Sequence, residues 1–204
     1  MEETEIQNNE SNINFMRMLV EIMMPKLPYH NFQHALNVHD VVSMYTDLHE
    51  LNSHDTYLLR TAGLGHDLIY IPGRTDNEEN TARELVEILP LIGYNIRDAI
   101  DIARMIPSTK MPQNPTNLLE EILCDSDLDS LGRDDFFIWG HKYRNELGLE
   151  ENVDWYKRQL AFLESHEYHT QIARDLRGEG KEKNKEKLKN IIESYEEREV
   201  LVGV

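Results

Sequence analysis

The chain of 204 residues contains a single cysteine, Cys124, so no internal disulfide can form. Cys124 stands in no nucleophile signature and reads as a small buried hydrophobe. No apolar run approaches the length of a bilayer span, and no cationic segment leads into an apolar stretch at the N-terminus. Membrane insertion and secretion are therefore not expected, and the cytoplasm is the expected compartment. Basic residues are scarce: Lys plus Arg number 21 against 38 Asp plus Glu, a formal net charge of −17. Such a field repels nucleic-acid backbones and anionic membrane surfaces, which excludes both as expected partners. Strand-like alternation and the Gly-flanked Val/Ile runs of a parallel sheet are missing. Neither a P-loop nor HExxH occurs. GLGHDL offers two glycines of a dinucleotide fingerprint, lacks the third and follows no strand.

What is present is apolar spacing at helical period nearly throughout, which predicts an all-α fold. A hydrophobic content of 40% at this length is enough to bury a core, and the chain reads as one domain over 1–204. The polar first ten residues are expected to fray. Helices are expected over about 13–24, stopped by Pro25 and Pro28, and from a cap at Asn31 through Leu48. Others are expected over 56–69, capped by Ser53 or Asp55, over 77–89 and over 96–106. The three prolines of 107–115 predict a long surface loop. Helices are expected again over 117–124, 134–147, 153–163 and 167–177. A charged final stretch follows, with Leu188, Ile191, Ile192 and Tyr195 on one stripe.

Nine His residues in a strongly acidic chain raise the question of a metal site, since a bound divalent ion would reverse the local potential for an anionic substrate. His-Asp occurs three times, at 39–40, 54–55 and 66–67. His66-Asp67 closes the most apolar helix after the small residues Ala62, Gly63 and Gly65, where buried polar groups need partners. The other two pairs fit a surface or capping role. His30 and His34 are four apart, on one face if the helix is entered there. Asp125, Asp127 and Asp129 alternate at a helix end whose dipole they oppose, so a compensating cation is expected.

The ordered segments YHNFQHALNV, GHDLIYIPG, TDNEENTA and CDSDLDSLG resemble the motifs of the HD superfamily of metal-dependent phosphohydrolases, in the branch similar to cyclic nucleotide phosphodiesterases. The resemblance covers Tyr29 to about Gly132, a motif core of about 29–132 with a helical C-terminal part over 133–204. It implies the all-helical HD fold. It implies His34, His66, Asp67 and Asp127 as ligands of one or two divalent ions, Mn, Fe, Zn or Mg, with Asp125 in reserve for Asp127. Asp67 would be able to bridge a second ion. His30 matches the family's catalytic His, which protonates the leaving oxygen, and Glu78 matches a carboxylate that orients a ligand or the attacking water. Two departures stand out: Tyr70 replaces a further His of true cyclic nucleotide phosphodiesterases, and the Glu-Asp pair of the alarmone hydrolases is replaced by Ile69-Tyr70.

Bound divalent ions lower the pKa of water and withdraw charge from phosphoryl oxygens, and an imidazole with an ordinary pKa of about 6.5 suits the proton donor. Arg74 and Lys110, on loops flanking the motifs, are candidates for contacting phosphate. The expected activity is hydrolysis of a nucleotide-like phosphoester, a phosphodiester or a 5'-monophosphate. The alternative is a non-catalytic helical signalling module that keeps the metal site and binds nucleotides or a partner. A third reading is a structural helical bundle whose His residues coincide by chance.

Overall fold

The computed structural model describes residues 2–202, with side chains over 9–198. The described residues form nine α-helices and three short 3-10 turns, with no strand among them. None of these helices is long and apolar enough to cross a membrane. The chain divides into two compact units, Met1–Asp127 and Leu128–Val204.

The first unit holds α1 (Glu2–Met23), α2 (Phe32–Leu48), α3 (Ser53–Gly65), α4 (Asn77–Ile88), α5 (Ile96–Met105) and α6 (Leu118–Asp127). In α1 the apolar stripe Ile13, Met16 and Val20 is buried, as is Met24 just beyond the helix. The helix starts at Glu2 rather than near Ile13, so the expected frayed segment is helical from residue 2. At the centre lies α3, with Leu58, Leu59, Ala62 and Leu64 almost fully buried. Its glycines allow close approach. A Cβ on Gly63 would come within 3.0 Å of Val42 on α2, and one on Gly65 within 2.7 Å of Met16 on α1.

Two expectations for α3 are corrected. The cap is Asn52, whose Oδ1 accepts from the backbone N–H of His54 and of Asp55, both at 3.0 Å. The helix ends at Gly65 rather than Ile69, because the backbone beyond it bonds to side chains of α4. The Ile69 N–H donates to Thr81 Oγ1 and the Ile71 N–H to Asn77 Oδ1, at 3.1 and 3.0 Å.

The expected surface loop over 107–115 opens instead as a 3-10 turn, Ile106–Thr109. Ser108 and Thr109 are buried there because their hydroxyls donate to the carbonyls of Met105 and Ile106. Beyond it, α6 extends three residues past Cys124, carrying Asp125 and Asp127 within the helix. Cys124 is fully buried, and burial pushes its thiol up to about 12.

The second unit holds α7 (Phe136–Glu146), α8 (Val153–Ser165) and α9 (Gln171–Val202). The expected break after Arg177 does not occur: α9 runs straight through Gly178 and Gly180. A Cβ on Gly180 would lie 1.9 Å from the Gly132 carbonyl oxygen, so this glycine admits the 3-10 turn Asp129–Gly132 against the helix. The helical cost of a glycine, about 1 kcal/mol, is offset by that close packing. Asp129 is fully buried and paired with Arg133 at 3.2 Å and Arg177 at 2.6 Å, which supplies a cation the acidic turn requires.

Candidate metal centre

Three helix ends of the first unit assemble the site. At the start of α2, Asn31 is the cap: its Oδ1 accepts from the N–H of Gln33 at 2.8 Å and of His34 at 3.2 Å. Its Nδ2 donates to the carbonyls of Leu27 and Pro28 at 2.7 and 3.1 Å, which ties the incoming loop to the helix. His34 is thereby fixed in the first turn. His66 caps the C-terminus of α3, and its Nδ1 lies 3.0 Å from the Gly63 carbonyl oxygen. A carbonyl can only accept, so Nδ1 carries a proton and Nε2 is the nitrogen that an ion would bind. Asp127 is the last residue of α6.

The reactive atoms converge. His34 Nε2 and His66 Nε2 are 3.2 Å apart. Asp127 Oδ1 lies 3.1 Å from His34 Nε2 and 3.4 Å from His66 Nε2. Asp67 Oδ2 lies 3.0 Å from His66 Nε2 and 3.5 Å from His34 Nε2. The ligand atoms of His34, His66 and Asp127 all fall within 4.8 Å of one another, the spacing of atoms around one ion. The imidazoles are 2% and 1% exposed, so water can do little to satisfy them.

The electrostatics follow from that crowding. Burial alone would depress the His34 imidazole, but hydrogen bonding to Asp127 and Asp67 overcomes it and holds the group above its ordinary 6.5. His66 is held well above 6.5 against the same burial, by the charge of Asp67 and its bond to Asp127. Burial would raise both carboxyls, yet the two imidazoles hold Asp67 well below the ordinary range and Asp127 below it too. Protons and a divalent cation meet the same need here, which is positive charge among four electron-pair donors. Two nitrogens and two carboxylate oxygens suit a first-row divalent ion. The C-termini of α3 and α6 end at the cluster, and helix C-termini favour cations. The residues present fit a metal ion.

The remaining expected residues are distributed unevenly. His30 stands at the rim, its Nε2 4.0 Å from Asp67 Oδ2. Glu78 lies in the first turn of α4 and outside the convergent group. Asp125 is fully buried but contributes no atom to that group, so Asp127 is the carboxylate brought to the imidazoles. Both expected phosphate contacts are already engaged with acids. Arg74 makes two hydrogen bonds to Asp76 at 2.7 and 2.5 Å, and Lys110 pairs with Glu79 at 2.5 Å. The other His-Asp dipeptides serve elsewhere: His39 Nδ1 meets the Arg60 carbonyl at 3.0 Å, and His54 lies 3.5 Å from Asp98.

Sequence reasoning missed three residues around this centre, Asn77, Thr81 and Tyr29, and noted Tyr70 only as a departure from the family pattern. Asn77 and Thr81 pin the segment after Asp67, and Tyr29 and Tyr70 flank His30. Tyr70 and His30 are stacked, with centroids 3.5 Å apart and planes 13° from parallel, while Tyr29 meets His30 edge-on at 4.8 Å. A usable signal was present: the polar residues of TDNEENTA at i, i+4 face the apolar segment they bind, and each tyrosine adjoins a ligand motif.

Fold and site together define an all-helical protein with a buried His/Asp cluster able to hold a metal ion. Two crystal structures of YpgQ from Bacillus subtilis share the fold. One, in complex with ADP, has a TM-score of 0.70 at 18% identity, covering 92% of this chain and 96% of that one. The other has a TM-score of 0.67 at 16% identity, covering 94% and 97%. No protein-family model and no curated protein matches the chain.

Proposed function

We propose that the chain is a metal-dependent phosphohydrolase of the HD superfamily acting on a nucleotide-like phosphoester. The observation that carries this reading is the convergence of His34, His66 and Asp127 in one group able to hold an ion, with Asp67 Oδ2 3.0 Å from His66 Nε2. These four side chains would hold the divalent ion, and Asp67, on the His30 side of the group, is the residue that could bridge a second. When bound, such an ion draws charge from phosphoryl oxygens and lowers the pKa of a coordinated water.

The protein's own groups supply the rest. His30, at the rim with its Nε2 4.0 Å from Asp67, would give a proton to the leaving oxygen. Glu78, in the first turn of α4, would orient a ligand or the attacking water, the role its match to the family motif implies. Arg74 and Lys110 reach phosphate only by exchanging Asp76 and Glu79 for phosphate oxygens, so they act as recruitable contacts rather than a preformed anion cradle. That the similar YpgQ was crystallised with ADP supports a nucleotide as the ligand. The same complex also suits a nucleotide-binding module without turnover, but that reading leaves His30 beside Asp67 with no task.

The test is hydrolysis of an activated phosphodiester and of its monoester counterpart with added Mn2+, comparing wild type with Asp67→Ala. Diester cleavage lost in the variant supports a phosphodiesterase-like site, and monoester cleavage alone supports a nucleotidase. Metal binding without either activity favours the binding module, and absence of both metal and activity overturns the proposal.

A further inference from the structure

Tyr70 occupies the position where the expectation from related enzymes was a metal-binding His, and its surroundings give it a different task. It lies in the non-helical segment after α3, and that segment is held on both sides of Tyr70. Thr81 Oγ1 accepts from the Ile69 N–H and donates to the Ile69 carbonyl, each at 3.1 Å. Asn77 treats Ile71 in the same way, accepting at 3.0 Å and donating at 3.1 Å. Thr81 and Asn77, one turn apart on α4, are 0% and 4% exposed, so these bonds are shielded from competing water. The result is a two-rung ladder of side chains gripping the residues before and after Tyr70.

The ring so held covers one face of His30, stacked at 3.5 Å and nearly parallel, and Tyr29 stands edge-on at 4.8 Å. His30 has no helix of its own: it precedes the Asn31 cap and lies in the loop between α1 and α2. Its imidazole packs against both rings, with Nε2 turned toward Asp67.

We propose that Tyr70, gripped by Asn77 and Thr81, is the positioning residue that holds the His30 imidazole toward the metal cluster. The inference rests on the reading of His30 as the proton donor, and it adds a cause for the donor's orientation. A small misplacement of a catalytic group costs up to about a hundredfold in rate, so losing the stack slows the chemical step rather than substrate binding.

The test uses Tyr70→Leu, which fills the volume without a ring, and Tyr70→Phe, which keeps the ring. In the full-length protein, proton NMR of the His30 ring, assigned by its absence in His30→Ala, reports the stack through the upfield shift a parallel ring imposes. That shift is expected to vanish in Tyr70→Leu and to persist in Tyr70→Phe. With an activated phosphoester and Mn2+, kcat is expected to fall about tenfold to a hundredfold in Tyr70→Leu with KM and metal content unchanged, and to recover in Tyr70→Phe. Tyr70→Leu added to His30→Ala should cost nothing further. An unchanged His30 shift in Tyr70→Leu, or full additivity of the two substitutions, overturns the proposal. If the wild type hydrolyses no phosphoester, the functional reading fails while the NMR comparison still decides whether Tyr70 orients His30.

Discussion

Two buried polar groups in this protein, one in each unit, solve the problem of burial in opposite ways. In the first unit, two imidazoles and two carboxylates meet head-on, and each pair shifts the other toward its charged form. In the second unit, Lys181 donates to the carbonyl of His166 and lies 3.1 Å from its Nδ1, with Tyr168 beneath. Lys181 bonds to His166 rather than to a carboxylate, and burial dominates both members. It brings the Lys181 ammonium down to about 8, with Lys185 adding to the effect, and lowers His166 to about 3, with Lys181 adding to it. His166 Nε2 is buried with no hydrogen-bond partner. One cluster presents converging electron pairs and calls for a cation. The other already contains its cation, Lys181, which donates to the His166 acceptors. Burial of histidine therefore marks a metal site only where the neighbouring atoms are acceptors that converge.

The comparison can be broken most severely at Asp67. Asp67→Ala is expected to abolish metal retention and turnover, read by metal analysis and phosphoester hydrolysis, and an active, metal-loaded variant would remove the cluster from the chemistry. His30→Ala should keep the metal and slow turnover by roughly a hundredfold or more, the usual share of a general acid, and an unchanged rate would return His30 to structure.

The pH dependence sharpens the contrast. Without metal, stabilisation from the lowered Asp67 and Asp127 carboxyls is present above their ordinary 3.8 and is lost as pH falls. That from the raised His34 and His66 is present below 6.5 and is lost as pH rises through their folded values. The metal-free cluster is thus best satisfied between about pH 4 and 6.5, and a cation is needed most above that window. Added Mn2+ should raise Tm more at pH 8 than at pH 6, and equal shifts would count against proton and metal sharing one site. The smallest effect belongs to the second unit. The depressed Lys181 costs stability below about 8 and that cost is relieved as pH rises toward 10.5, so wild type should gain stability across this window. Lys181→Met should flatten that gain while leaving metal content unchanged, as followed by thermal unfolding at several pH values.

Much of this was legible from residue types and period. Helical spacing gave the all-α fold, the Asn31 cap gave the start of α2, and small residues before His66-Asp67 marked a closely packed helix end. What escaped depended on tertiary partners. The end of α3 at Gly65 is decided by Asn77 and Thr81 capturing the following backbone, which no local propensity encodes. Gly178 and Gly180 read as a helix stop, whereas Gly180 is there because Gly132 approaches α9. Arg74 and Lys110 read as free cations, yet Asp76 and Glu79 lie within reach and neutralise them. The partner of the His66 ring is the backbone carbonyl of Gly63, which no side-chain pattern marks.

The most direct test of the central claim is calorimetric titration of the metal-free protein with Mn2+, in parallel with His66→Ala, Asp127→Ala and Lys181→Met. Saturable binding in wild type and Lys181→Met, abolished by the two cluster substitutions, is the expected result. Absence of binding to wild type, or binding that survives His66→Ala and Asp127→Ala, would contradict it.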